Sequence, residues 1–260
     1  MKGIVVKPTH FKVDTRLAKY LPELPIDKKK LYKQYDQFCK TLSNFGIDLI
    51  EINQRPELYS MVYCRDWGFV KDNVFYQGRI RNKYRTEEQN MAGKMFAEKG
   101  FEVRKTKHKM FIDGSNYIEN NGNIYFGWGK RAAIKSLYFL EKHIGEGIID
   151  FKITNEKFNT LDMCVGPLDD TSALYYMEGM NMVEQAKVCY HFSNPIPINE
   201  EDAEIYATSF IHLGEKILLS KGVSEYLKTK VRAAGHDFLE LDISEYLKGG
   251  QGLRSLCLIY

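Results

Sequence analysis

Short apolar runs alternate along this chain with longer segments whose apolar residues recur at helical spacing. Ile4-Val5-Val6 reads as a strand closed by Pro8. Residues 27–45 carry Leu31, Tyr35, Phe38 and Leu42 near helical spacing and stop at Gly46, and residues 48–52 then read as a strand. A second unit pairs residues 61–64 with 69–70 and 74–76, continues into a helix over 87–98 that stops at Gly100, and returns as a strand at 101–103. A third pairs residues 117–118 with 124–126 across Asn120-Asn121-Gly122-Asn123, ahead of a helix over 132–143; Asn-Gly is a tight-turn signal. The fourth unit has strands near 161–165 and 173–177. The fifth pairs 209–213 with 217–219 across Gly214-Glu215-Lys216, with a helix over 224–234, a stop at Gly235 and a strand at 238–241. Residues 253–259 read as a final strand.

Strand, strand, helix, strand thus recurs about five times at roughly fifty-residue spacing, a period that points to a propeller or an array. A helix in each unit excludes an all-β propeller. The alternative is an open α/β sheet, although no Gly-rich strand-to-helix turn marks a nucleotide site. The pattern alone leaves both open.

Composition narrows the classes of function. The 260 residues suffice for one large domain or two small ones, and no Pro/Ser/Gly-rich linker divides them. With 37 basic against 34 acidic residues the net charge is +3, which gives no electrostatic argument for nucleic acid or an anionic membrane. The longest apolar run, residues 253–260, contains Arg254 and is far too short to span a bilayer. The first residues read as a strand and not as a signal peptide. Five cysteines (Cys39, Cys64, Cys164, Cys189, Cys257) are scattered without CxxC spacing or nearby His pairs, so no zinc site or redox motif is expected. Reduced thiols in a cytoplasm fit this usage.

Four polar clusters stand where strands end. Cys64-Arg65-Asp66-Trp67-Gly68 puts ionised groups beside a Gly after an apolar run, as a site edge or an ordinary turn would. Asp113-Gly114-Ser115-Asn116 has the same two readings. In Asn159-Thr160-Leu161-Asp162-Met163-Cys164 an Asp falls within an apolar run, where a buried carboxylate needs a cation or hydrogen-bond donors. Gly249-Gly250-Gln251-Gly252-Leu253-Arg254-Ser255 allows close backbone approach to a ligand, or is a flexible loop.

Taken in order and spacing, these clusters resemble the pentein superfamily: dimethylarginine dimethylaminohydrolases, arginine deiminases and amidinotransferases. Val6-Lys7-Pro8-Thr9-His10-Phe11 is similar to the family's opening Pro-x-x-Phe, and Cys64-Arg65-Asp66 to its Arg-Asp. Tyr84-Arg85-Thr86-Glu87 resembles Arg-Arg-x-Glu, Asp113-Gly114-Ser115-Asn116 resembles Glu-Gly-Gly-Asp, and Gly127 to Ala132 resembles Gly-x-x-x-Arg-Thr. Thr160-Leu161-Asp162 sits at His-Leu-Asp, and Ser244-Glu245-Tyr246 through Leu256 at Ser-Glu-Phe…Gly-Gly-Gly-x-Arg-Cys-Leu. The resemblance implies one domain over residues 1–260, a five-bladed pseudo-symmetric α/β-propeller built from ββαβ-type repeats. It also implies a small guanidino or amino-acid ligand, with no cofactor and no metal. Asp66, Asp113 and Asp162 would hold a guanidinium in forked geometry, and Arg85 and Arg131 a substrate carboxylate.

The departures fall on the family's chemistry, in which a thiolate attacks the guanidine carbon and a His moves protons. Ser255 stands at the nucleophile and Thr160 at the catalytic His. Asp113 replaces a Glu and Asn116 an Asp. A serine without an adjacent base is a poor nucleophile, and a threonine is no proton shuttle near neutral pH. Cys257, expected on the same strand face as Ser255 at roughly 6.5–7 Å along the strand, is the alternative nucleophile if the loop rearranges. His108, His143, His191, His212 and His236 match no family catalytic position and are expected at the surface or in the core. The preferred expectation is a pseudoenzyme that retains ligand binding. Its rivals are an active hydrolase or amidinotransferase using Cys257, a Ser255 introduced in place of Cys (which leaves Thr160 unexplained), and a non-enzymatic interaction scaffold. A homo-oligomer is an open option.

Overall fold

The computed structural model describes residues 1–16, 21 and 24–260. Five three-stranded sheets follow one another along the chain, each built by the same connection. In the first, β1 (Lys2–Lys7) leads through helix α1 (Lys28–Asn44) to the parallel strand β2 (Asp48–Asn53). The second has β3 (Gly68–Lys71) antiparallel to β4 (Val74–Gln77), then α2 (Thr86–Glu98) and the parallel strand β5 (Glu102–Lys105). The third repeats this with β6 (Tyr117–Asn120), β7 (Asn123–Gly129), α3 (Ile134–Ile144) and β8 (Ile149–Ile153). A short helix, α4 (Leu161–Cys164), opens the fourth, which has β9 (Val165–Pro167), β10 (Ser172–Tyr175), α5 (Met182–His191) and β11 (Asn194–Pro197). After α6 (Glu200–Glu204) the fifth contains β12 (Ile211–Leu213), β13 (Lys216–Ser220), α7 (Glu225–Ala233) and β14 (Asp237–Leu241). Finally α8 (Ser244–Leu247) precedes β15 (Cys257–Ile259), which pairs antiparallel with β1 and supplies the strand that the first sheet lacks. This is the five-bladed α/β-propeller of ββαβ repeats expected from the sequence, and the open sheet is excluded.

Local chemistry explains the elements. Asp27 caps α1 by accepting from the Lys30 amide at 3.0 Å, and Ser224 caps α7 by accepting from that of Leu227 at 3.1 Å. The stops at Gly46, Gly100 and Gly235 all have positive φ, as the sequence reading required. The stripe Leu31, Tyr35, Phe38 and Leu42 buries α1 against the first blade, beside the fully buried Trp67 and Met61.

Two elements of the fourth blade escaped the pattern. Helix α5 leaves Met182, Val183 and Tyr190 exposed, so its apolar residues do not trace a single buried stripe. Strand β11 contains Pro195 and Pro197, which argue against a strand except at a sheet edge, and it is an edge. Four expected strands also begin differently. Residues 61–67, 161–164, 205–209 and 253–256 form tight turns or single helical turns, with the strand starting only after them.

These turns position everything that follows. At Gly114, in the third blade's turn, a Cβ would lie 2.1 Å from the Arg65 carbonyl oxygen and 2.3 Å from that of Gly68. Both are backbone atoms of the neighbouring blade and cannot swing aside. Gly114→Ala is therefore expected to destabilise the chain by at least about 1–3 kcal/mol, measured as a lower urea midpoint at unchanged slope. An unaltered midpoint would mean the blades are less tightly apposed than this geometry requires.

Candidate ligand site

Each blade is entered through a turn just before its first strand, and pseudo-symmetry sets those turns in a ring. Two residues before β3, β6, β12 and β15 stand Asp66, Ser115, Ser209 and Ser255; three before β9 stands Asp162. All are buried, as are Asp113 and Thr160. The propeller thus gathers polar side chains from five distant stretches of chain at its axis.

Asp66 is the most heavily bonded of them. Its Oδ2 accepts from Arg85 Nη1 at 2.5 Å and from Gln251 Nε2 at 2.8 Å, and lies 2.9 Å from Arg131 Nη2. Its Oδ1 accepts from Ser115 Oγ at 2.7 Å. Against the cost of burial, Arg131 and Arg85 hold this carboxyl well below its usual range. Asp113 shares Arg131, whose Nε is 3.2 Å from Asp113 Oδ2, while Asp113 Oδ1 accepts from the amide and side chain of Asn116 at 3.1 and 3.0 Å. Here burial outweighs Arg131, the Asp66 charge adds to it, and the pKa is raised to about 6. One guanidinium therefore bridges two of the three carboxylates expected to hold a ligand's guanidinium.

Arg85, expected to meet a substrate carboxylate, is bonded to buried groups of the protein. Its Nε and Nη2 donate to Glu88, its Nη1 to Asp66, and its Nη2 also to the carbonyls of Ser60 and Tyr63. All three of its nitrogens are thus engaged within the protein, and Arg85 organises Asp66 and Glu88. Arg131 is the more exposed of the two, at 17% against 4%, and both line the cavity above the network. Gln251, Ser115 and Glu88 were not foreseen as members of the site. Gln251 between glycines and Ser115 beside Asp113 were visible in the motifs, but nothing local showed that they face Asp66.

Asp162 faces Asp66 and Asp113 closely enough for mutual repulsion, but its bonds are separate. Thr160 Oγ1 donates to its Oδ1 at 2.6 Å and Ser209 Oγ to its Oδ2 at 3.0 Å. Burial raises its pKa, with the Thr160 bond opposing. The Thr160 hydroxyl is thus spent on Asp162. Ser255 Oγ is buried with no hydrogen-bond partner among the described residues, hence with no base to activate it.

The expectation for Cys257 is corrected by the turn. Ser255 belongs to the 3₁₀ turn Leu253–Leu256 and Cys257 begins β15, so the two do not share a strand face. Its sulfur packs toward Gly3, a Cβ on which would meet it at 2.9 Å, and burial pushes the thiol well above its usual range. It lines a different cavity from Arg131. Neither thiolate formation nor access to the carboxylates is provided for.

The cavity over the network holds about 360 Å³ and is lined by Arg131, Gln251, Arg81, Asn82, Ile80 and Met163 among others. None of the three carboxylates lines it, but Asp66 and Asp113 are held by its lining residues Arg85, Gln251 and Arg131. Among the described residues no group of His, Cys, Asp and Glu is arranged to hold a metal ion, and no helix is long and apolar enough to cross a membrane.

No family model matches the chain. It is 23% identical over 237 residues to the dimethylarginine dimethylaminohydrolase of Mycobacterium tuberculosis, covering 90% of this chain and 77% of that one. It is 26% identical over 258 residues to an uncharacterised protein of Caenorhabditis elegans, covering 98% and 92%. The N-terminal domain of ArgZ, an arginine dihydrolase of cyanobacteria solved as a Cys-to-Ser mutant bound to substrate, superposes with a TM-score of 0.92 at 21% identity, covering 99% of this chain and 97% of that domain. The fold is that of the pentein superfamily. Within that fold, the carboxylates and hydroxyls described here occupy the blade-entry turns, and Arg85 and Arg131 reach them from the segments ahead of α2 and α3.

Proposed function

We propose that this pentein-fold chain, one domain over residues 1–260, binds a small guanidino or amino-acid ligand over the Asp66–Arg131–Asp113 network and does not hydrolyse it. The observation that supports the second half is the bonding of Thr160 to Asp162 and a Ser255 hydroxyl without a partner among the described residues: the positions where the family keeps its His and Cys carry neither an imidazole nor a thiol. The first half is supported by the cavity over Arg131 and by the cyanobacterial relative, whose Cys-to-Ser mutant is bound to substrate. The pairing of β1 with β15 supports one domain. A cytoplasmic location fits five free thiols.

A guanidinium reaches Asp66 and Asp113 only if Arg131 withdraws from between them. Arg131 is then free to meet the ligand's own carboxylate, so arginine should bind better than agmatine, which lacks one. The ligand cation also requires an ionised Asp113. Since this carboxyl titrates near 6, ligand binding below that pH must expel a proton. Affinity for arginine is expected to be flat above about pH 7 and to fall by up to about tenfold per pH unit below 6. Calorimetric titration with arginine, methylated arginines, citrulline and agmatine at pH 5 and 7.5 tests this. Equal affinity at both pH values removes Asp113 from the site, and no binding of any of them removes the reading.

A second reading, an interaction scaffold or homo-oligomer, is favoured by one feature. Helix α5 exposes Met182 (83%), Val183 (66%) and Tyr190 (85%) together, and an apolar patch at the surface is a usual mark of a contact. Sedimentation of the native chain and of Tyr190→Lys separates this role from ligand binding.

A further inference from the structure

The ring of turns has a second face. Each turn leads into the first strand of its blade. Between those first strands lies another cavity, of about 240 Å³, lined by Arg65, Arg254, His212, Phe69, Phe210 and Tyr117 among others. The two cavities have no lining residue in common.

Arg65 and Arg254 stand at the same turn position of neighbouring blades, three residues before β3 and β15. Pseudo-symmetry therefore brings both guanidinium groups to one acceptor. Arg65 Nη2 donates to the Tyr117 carbonyl at 3.0 Å and Arg254 Nη2 to the same oxygen at 3.4 Å, while Arg65 Nε donates to the Gly114 carbonyl at 3.1 Å. Among the described residues neither arginine forms an ion pair with a carboxylate. Asp162 is near enough to act on both electrostatically, yet its oxygens accept from Thr160 and Ser209 and, among the described residues, from neither arginine. Glu119, on the cavity rim, accepts from Lys71 at 2.6 Å and from the Tyr117 hydroxyl at 3.0 Å. His212 turns its Nε2 to the Pro167 carbonyl at 3.0 Å.

The result is two adjacent cations without a paired counter-ion, one of them, Arg65, only 7% exposed. Buried charges of one sign side by side are unfavourable unless an opposite charge completes them. Burial, and for Arg254 the neighbouring Arg65, lowers both from their ordinary value, Arg254 to about 9. Both arginines line this one cavity, and a guanidinium's remaining N–H groups suit an oxyanion.

We propose that this cavity binds a small oxyanion, a carboxylate or phosphate group held between Arg65 and Arg254. Phe69 and Phe210 beside the arginines offer an apolar wall to any organic part of such a ligand. The site is independent of the guanidino ligand proposed above.

Thermal unfolding of the full chain in an anion-poor buffer tests it, with sodium phosphate and sodium benzoate titrated separately against sodium chloride at matched ionic strength. At tenfold excess over half-saturation, Tm is expected to rise by roughly 3–6 °C beyond the chloride control. A response to phosphate alone identifies an inorganic or phosphorylated ligand, and a response to benzoate alone an organic carboxylate. Arg254→Gln keeps a donor for the Tyr117 carbonyl but removes the second charge. It should unfold at a higher temperature than the native chain without anion, and should lose the anion-dependent rise. Arg81→Gln, in the other cavity, should keep that rise. No rise beyond chloride in the native chain, or a rise that survives in Arg254→Gln, overturns the proposal.

Discussion

Arg85→Met is expected to cost the protein about 3–5 kcal/mol of stability, the penalty of leaving a buried charge without its partner. Met matches much of the volume of the arginine stem, so the loss reports on charge and hydrogen bonds and not on a cavity. Arg85 holds two buried carboxylates at once, Asp66 at 2.5 Å and Glu88 at 2.7 Å. Without it Asp66 keeps Arg131, Gln251 and Ser115, but Glu88 keeps only the Trp67 indole N–H at 3.1 Å. Burial already raises the Glu88 pKa while Arg85 is present. Against a total stability of roughly 5–15 kcal/mol, the loss should lower Tm by roughly 6–20 °C. Arg85→Lys restores the charge but not the fork that spans both carboxylates, and should recover only part. If Tm is unchanged in Arg85→Met, the network around Asp66 is not what positions the site.

The second large effect concerns turnover. The native chain is expected to release no citrulline, urea, ammonia or methylamine from arginine, agmatine or methylated arginines above the uncatalysed background. General acid–base catalysis alone is worth about 10²–10⁴-fold, and the Thr160 hydroxyl, committed to Asp162, supplies none of it. Ser255→Cys by itself is expected to stay at background, because nucleophile and base act as a unit. The double change Ser255→Cys with Thr160→His restores both types of group, and measurable hydrolysis is expected only there. Turnover by the native chain, with Cys257 labelled by an electrophilic substrate analogue, would instead require the end of β15 to rearrange and would return the role to that thiol.

The two expectations separate structure from chemistry. The first probes a charge network that the fold needs whether or not any ligand binds. The second probes the hydrolytic step itself. A chain that loses stability in the first experiment and gains activity in the second is a pentein scaffold whose carboxylate network remains intact while its nucleophile and proton shuttle have been exchanged.

Much of this was written in local sequence. Helical spacing in α1, the stops at Gly46, Gly100 and Gly235, and the recurrence of strand, strand, helix, strand follow from side-chain patterning and backbone sterics, which act over a few residues. The order of the motifs named the superfamily for the same reason: each motif is a turn whose residue types are locally constrained. What local pattern could not supply is the pairing across the ring. Asp66 and Gln251 are 185 positions apart and meet only because β15 closes onto β1. Arg85 and Arg131 read as ligand-binding cations. Only the assembled blades turn them inward onto Asp66 and Asp113, because those carboxylates are buried and a buried charge must be met by the nearest long cationic side chain. Likewise Ser255 and Cys257, two residues apart, read as one strand face; a 3₁₀ turn ending at Leu256 sends the Cys257 sulfur to a separate cavity. The sequence by itself determined the repeat and the residue types at each turn. The tertiary structure decided which charges neutralise one another, since that depends on distances set when five separate stretches of chain converge on one axis.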